Sequence, residues 1–231
     1  MTAETLVLER EHLPEVPLKP APWQLHGSGY VLIAKVPESV SDDDLFVPPS
    51  LRDKRHGRTV YILLLDYRQS DCGPYHELMI APASFDFREG RFPSITRIYV
   101  STYDSVVNGR RNWGIPKDRA DFAVAHDGKA HRVTLSREGH EFARLHLQSG
   151  GLALPVNSAL LPAGMRTVKQ HWQGQVHAIT LKAKGSLRMA KLVDWSFDPK
   201  FFPDLAGASV VAAAYLPSFE MTFPLSDVRP E

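Results

Sequence analysis

The stretch RVTLSREGHEFARLHLQ, Arg132 to Gln148, decides the fold. Val133 and Leu135 alternate with Arg132, Thr134 and Ser136, and Ala143, Leu145 and Leu147 alternate with Arg144, His146 and Gln148. A period of two is that of a β-strand with one apolar and one polar face. Between the two runs, Glu138-Gly139 supplies a turn in hairpin position. The stretch therefore reads as two antiparallel strands lying between a core and water, or between a core and a lined cavity.

The same grammar extends outward in both directions. Ile179, Leu181 and Ala183 alternate with Thr180, Lys182 and Lys184, while Asp127-Gly128 and Gln173-Gly174 mark further hairpins. Upstream, Tyr30–Val36, Val60–Tyr67, Tyr75–Ala81 and Ile95–Val100 are rich in β-branched and aromatic residues and read as strands. Thr102 to Asn108 predicts a short helix ending before Gly109. Val210 to Tyr215 fits either a helix or a buried strand, since a short apolar run does not decide. Pro14, Pro17, Pro20 and Pro22 resist regular structure, so residues 1–22 read as an extended arm on a domain spanning 23–231. No repeat, low-complexity tract or linker divides that domain. The expected fold is mainly β: one large antiparallel sheet, closed or nearly closed, with few short helices.

Composition narrows the function classes. Of 231 residues, 43% are hydrophobic and 23% charged, enough to build a core without a disulfide or metal staple. One cysteine, Cys72, cannot form an internal disulfide and fits a reducing, cytoplasmic setting. The N-terminal residues lack a signal-peptide pattern, and no apolar run reaches the roughly 20 residues a bilayer span needs. Net charge is +1, and the most basic stretch, Arg52 to Arg58, reads as a solvated loop. Neither a nucleic-acid surface nor a membrane helix is expected.

Most catalytic signatures fail. Gly109 and Gly114 have phosphate-loop spacing, but Ile115 and Pro116 stand where Lys and Ser/Thr are needed. Gly27 and Gly29 are followed by Leu32 where a dinucleotide fingerprint requires glycine. There is no GxSxG, no HExxH and no zinc spacing. His171 and His177 flank a hairpin and read as strand histidines rather than metal ligands. No metal or cofactor is expected.

The segment NGRRNWGIPKD, Asn108 to Asp118, survives this elimination. Gly109 and Gly114 permit tight or positive-φ backbone. Pro116 stiffens the chain and extends Ile115, so that Lys117 is presented by a rigid backbone. Trp113 and Ile115 can supply an apolar wall. Burial disfavours the charged form of an amine, and a neutral amine attacks carbonyl carbon to form a Schiff base.

This segment resembles the signature of the acetoacetate decarboxylase-like family, approximately GRExxxxPKK, with Gly109-Arg110 and Pro116-Lys117 in register. A tyrosine and glutamate spaced Y-x-E stand about forty residues before the family's lysine; here they are Tyr75-His76-Glu77. MAKLVDWSFD, PDL and VVAAAYLPSFEMTFP are similar to the family's closing strands, and together the likeness runs from about Trp23 onward. The resemblance implies a cone-like, largely antiparallel barrel with an internal cavity, and a homo-oligomer. It implies Lys117 as the nucleophile of an imine mechanism and Glu77 as the carboxylate that positions substrate or moves protons. Arg110, Tyr75, His76 and Trp113 are the expected contacts to a small carbonyl substrate.

The departures are specific. Asp118 replaces the second lysine, and a carboxylate that approaches an amine favours its charged form. No arginine stands near Ser28, where the family places its carboxylate-binding arginine, and Ile62 stands where a second pocket glutamate belongs. These losses argue against acetoacetate itself. The expected function is a Schiff-base lyase, of decarboxylase or aldolase/dehydratase type, acting on a small keto acid or related carbonyl compound. The alternative is a non-catalytic barrel binding a small apolar or carbonyl-bearing ligand, which the apolar run YILLL favours.

Overall fold

A computed structural model describes residues 13–230. The strands are β1 (Trp23–Lys35), β2 (Thr59–Gln69), β3 (Tyr75–Pro82), β4 (Phe85–Phe87), β5 (Gly90–Phe92), β6 (Arg97–Val100), β7 (Lys117–Arg119) and β8 (Asp121–Asp127). They continue as β9 (Ala130–Arg137), β10 (His140–Asn157), β11 (Thr167–Trp172), β12 (Gln175–Thr180), β13 (Lys182–Phe197), β14 (Ser209–Phe223) and β15 (Asp227–Pro230). One α-helix, α1 (Tyr103–Trp113), stands among the described residues, with three short 3-10 turns. The expected strands are all present, the three expected hairpin turns join strand pairs, and Val210 to Tyr215 lies in β14. The alternation at Ile179 to Ala183 spans two strands, because β12 stops at Thr180 and β13 starts at Lys182.

Ten strands form one sheet in the order β7-β6-β3-β2-β1-β14-β13-β10-β9-β8. Its end strands, β7 and β8, are consecutive in sequence and separated by Ala120 alone. The sheet curls until these ends approach: Arg137 of β9 reaches Asp118 of β7 at 2.7 Å, and the rings of His76 and Phe122 lie 5.7 Å apart. The result is a nearly closed barrel, as expected. A three-stranded sheet (β11-β12-β15) and the β4-β5 hairpin complete the fold.

Apolar side chains pack on both faces of the large sheet. Inside the barrel, Leu32, Ile62, Leu64, Leu78, Ile80 and Tyr99 meet Val133, Leu135 and Leu145 from the opposite wall. Outside it, Leu65, Tyr67, Tyr75, Met79, Ile98 and Val100 pack against Val106 and Trp113 of α1. A strand covered on both faces reads as a continuous apolar run, as YILLL does.

All pairs in the large sheet are antiparallel except β6 with β7, which is parallel. Parallel neighbours need a crossover connection, and α1 supplies it. The helix starts at Thr102, whose side chain accepts from Ser105 N, and ends at Gly114 in the left-handed conformation (φ 61°). It therefore runs through Gly109 rather than stopping before it. The segment Leu13 to Pro22 carries no helix or strand and docks on this helix. Lys19 N donates to Asn108 Oδ1 at 2.8 Å, and Asn112 Nδ2 donates to Lys19 O at 2.8 Å. The first twelve residues of the expected arm lie outside the described ones.

His131 and His177 are both buried, and burial pushes each imidazole below its ordinary value of 6.5; for His131 the charge of His126 adds to the effect. A base with a depressed folded value takes up its proton more readily once unfolded. Stability is therefore full above about pH 6.5 and declines as pH falls through the folded values. Thermal melts across this range are expected to show that decline, and His131→Phe to shallow it. An unchanged slope in the variant would count against the assignment.

Candidate active site

Lys117 is the first residue of β7, pairs with Ile98 of β6 and points out of the barrel toward α1. Its neighbours on that face follow from strand alternation: Tyr75, Glu77 and Met79 of β3, and Leu65 and Tyr67 of β2. The helix presents Ser105, Gly109 and Trp113, spaced four apart and all buried, on its sheet-facing side. The lysine stem crosses Gly109 so closely that a Cβ there would meet Lys117 Cδ at 2.6 Å. Gly109 has no positive φ; its role is to leave room for that stem.

The amine ends between two acceptors. Lys117 Nζ donates to Glu77 Oε2 at 3.0 Å and to Ser105 Oγ at 3.0 Å, and lies 4.9 Å from the centre of the Tyr75 ring. Lys117 is 4% exposed, Glu77 4% and Ser105 0%, so the cluster is sealed from bulk water. Tyr67 OH donates to Glu77 Oε1 at 3.3 Å. Burial, and then the charge of Glu77, push the Tyr67 and Tyr75 phenols well above 10; hydrogen bonding to Ser105 opposes the shift at Tyr75. Both tyrosines are therefore neutral hydroxyls. Burial likewise raises the Cys72 thiol, so it is not a thiolate nucleophile.

A buried ion pair contributes little to stability compared with apolar packing, since desolvating both charges offsets their attraction. Dry clusters of ionisable groups, here with two phenols raised by burial, concentrate instead at functional sites. This arrangement supplies an amine, a carboxylate one hydrogen bond away, and three hydroxyls.

The other expected residues fall in different places. Tyr75 forms one wall of the cluster. Arg110 donates from Nε to Lys117 O at 2.7 Å, bracing the backbone of β7. Trp113 packs edge-on against Trp23 and Phe223 and donates to Pro224 O at 2.7 Å, so it supports the helix from behind. His76 points into the barrel, 3.3 Å from Asp66, on the face of the sheet opposite Lys117. His171 and His177 do not meet: each pairs with a different residue across the hairpin, and His177 contacts Ser226 at 3.2 Å. Among the described residues no group of three or more His, Cys, Asp or Glu side chains is placed to hold a metal ion.

Asp118 turns away from Lys117. Successive strand residues face opposite sides, so its carboxylate enters the barrel, 2.7 Å from Arg137 and 3.6 Å from Arg97. It is 3% exposed and does not compete for the lysine. A Cβ at Gly27 or Gly29 would meet backbone oxygens of β2 at 2.2 and 2.4 Å, so neither position can carry a side chain; Ser28 between them does, and Arg68 Nη2 lies 3.5 Å from its Oγ. Ser105 and Tyr67 had no sequence motif. The only available signal was the spacing of Ser105 from Gly109 and Trp113, legible once the helix is carried through to Trp113.

Removing one partner of a buried ion pair leaves the other charge uncompensated. Asp118→Ala is expected to cost about 3 kcal/mol of unfolding free energy in urea titration. Asp118→Lys is expected to cost more, because it places a third cation beside Arg97 and Arg137. A loss well under 1 kcal/mol for both would show that the pair is not buried as described.

Comparison with known proteins adds the family. The family model described as acetoacetate decarboxylase (ADC) matches residues 9–198. The acetoacetate decarboxylase of Legionella pneumophila superposes with a TM-score of 0.70, over 99% of this chain and 96% of that one, at 12% identity. An acetoacetate decarboxylase-like enzyme from Sphingomonas wittichii RW1 gives 0.65 over 93% and 95%, at 12% identity. The enduracididine biosynthesis enzyme MppR complexed with pyruvate gives 0.61 over 93% and 92%, at 14% identity. At such identities the likeness concerns the fold. No curated protein sequence gives a significant match. With the family model spanning most of its length, the chain belongs to the acetoacetate decarboxylase family.

Proposed function

We propose that this protein is a Schiff-base lyase that acts on a small keto acid or related carbonyl compound through Lys117. One observation carries the reading: a sealed amine 3.0 Å from a carboxylate, at the lysine and glutamate of the family signature. Glu77 takes a proton from Lys117, the neutral amine attacks the carbonyl carbon, and water leaves as the imine forms. The iminium then withdraws the electrons of a neighbouring carbon–carbon bond. Glu77 remains as its counter-ion, and Tyr67 and Tyr75 stand beside the pair as neutral hydroxyls. Imine chemistry in this family comes from the resemblance; the paired amine and carboxylate are what this chain contributes to it. That MppR, of the same fold, is recorded with pyruvate and with a condensation product of pyruvate supports a carbonyl ligand here.

A second reading, a non-catalytic binding barrel, draws on a separate cavity inside the barrel. Tyr30, Leu64, Phe122, Val133 and Tyr215 line it, on the face of the sheet opposite Lys117. Reduction with borohydride in the presence of pyruvate and simple ketones separates the readings. The imine reading expects a stable mass adduct on Lys117, none on Lys117→Ala, and formation slowed about 100-fold in Glu77→Gln. No adduct from neutral to mildly alkaline pH would overturn it in favour of the binding barrel.

Self-association is proposed as well. Leu152, Leu154, Leu160, Leu161, Met165 and Met189 are exposed on the long β10–β13 ribbon and the turns beside it, an apolar face that a second copy could cover. Light scattering is expected to give a multiple of 25.8 kDa, and a monomer mass would refute it. No helix among the described residues is long and apolar enough to cross a membrane. The single cysteine, free and buried, favours a cytoplasmic location.

A further inference from the structure

Lys117 has two hydrogen-bond partners, and imine formation leaves its nitrogen with a single proton. An ammonium can satisfy both Glu77 and Ser105; an iminium can satisfy one. Glu77 is the charged partner, is itself held by Tyr67, and remains the natural counter-ion. Ser105 then loses its bond from the amine but keeps its contact with the Tyr75 hydroxyl, with its own hydroxyl still about one hydrogen bond from the reacting nitrogen. We propose that Ser105 is a catalytic residue of this site, passing a proton from the lysine nitrogen to the carbinolamine oxygen. The inference rests on the imine reading of Lys117.

The position of Ser105 supports this role. A serine inside a helix ordinarily bonds back to a carbonyl of its own helix. Ser105 Oγ instead accepts from Lys117 across the gap between helix and sheet. It does not cap the helix; Thr102 does that. It is fully buried, so bulk water does not stand in for it. Tyr75, with its ring against the amine, closes the same pocket.

The step balances. Glu77 first removes one proton from the ammonium. The nitrogen lone pair then bonds to carbonyl carbon, and the π pair moves to oxygen, giving a positive nitrogen with two protons and an alkoxide. Ser105 takes one of those protons on Oγ while its own hydroxyl proton passes to the alkoxide, which regenerates the serine. Glu77 returns its proton to the resulting hydroxyl, the carbon–oxygen bond breaks with its electron pair, and water leaves. The nitrogen lone pair forms the C=N bond, and one proton stays on nitrogen.

The test is the rate of cyanoborohydride trapping with pyruvate or butanone as probe, on the full chain. Ser105→Ala is expected to lower the limiting trapping rate about 100-fold. The ketone concentration giving half-maximal rate should be unchanged, while the melting temperature falls by roughly a few degrees, because the buried amine loses one of its two acceptors. Ser105→Thr, which keeps the hydroxyl, should recover most of the rate. Ser105→Cys, which removes the hydroxyl but fills its volume, repeats the test if the alanine variant does not fold. Trapping at the wild-type limiting rate in a folded variant without the hydroxyl would overturn the role of Ser105 and leave the imine reading standing. Absence of any adduct on the wild-type Lys117 would overturn the imine reading itself, and this inference with it.

Discussion

Adjacent residues of a β-strand face opposite sides, and the short strand β7 makes that constraint decisive. Lys117 faces outward beneath α1, and Asp118 faces inward to Arg137 and Arg97. One peptide bond thus separates two buried ionic clusters of opposite design. On one side a cation meets a carboxylate and a hydroxyl; on the other an anion meets two guanidinium groups. Sheet thickness, not sequence distance, keeps the charges from neutralising each other.

The rest of the site follows from the one parallel pair in the large sheet. Because β7 runs parallel to β6, the chain must cross over, and the crossover helix becomes the roof over the buried lysine. That roof must lie close, which makes Gly109 the residue over which the lysine stem passes. Arg110, the next residue, ties the helix to the carbonyl of Lys117 itself. Helix, glycine and arginine together hold the amine in one place. A long flexible side chain gains directed chemistry only when its freedom is removed in this way.

Much of the architecture was legible in the residues. Period-two patterns at Val133, Leu135 and Leu145, with turns at Gly128, Gly139 and Gly174, marked antiparallel hairpins. YILLL reads as a ligand-binding wall; Leu64 and Leu65 do line the cavity inside the barrel, while Ile62 and Leu64 belong to one core and Leu63 and Leu65 to the other. The pattern of a strand buried on both faces is the same whether protein or ligand covers it. The end of α1 was misjudged for a related reason. Glycine disfavours a helix by about 1 kcal/mol, and local propensity cannot register the lysine stem that makes glycine necessary.

That Tyr75 and Glu77 accompany Lys117 is what the family resemblance implies. By itself the sequence determined that this is a mainly β protein and that Lys117 stands on a stiffened segment. Those properties reside in local pattern and spacing. Tertiary structure alone decided that Glu77 reaches the amine, that Ser105 meets it from the helix, that His76 faces elsewhere, and that Asp118 does not interfere. These are matters of which face a side chain occupies once strands are paired in register. Register is set by contacts between residues tens of positions apart, as with Glu77 and Lys117, and no local window of the chain contains them.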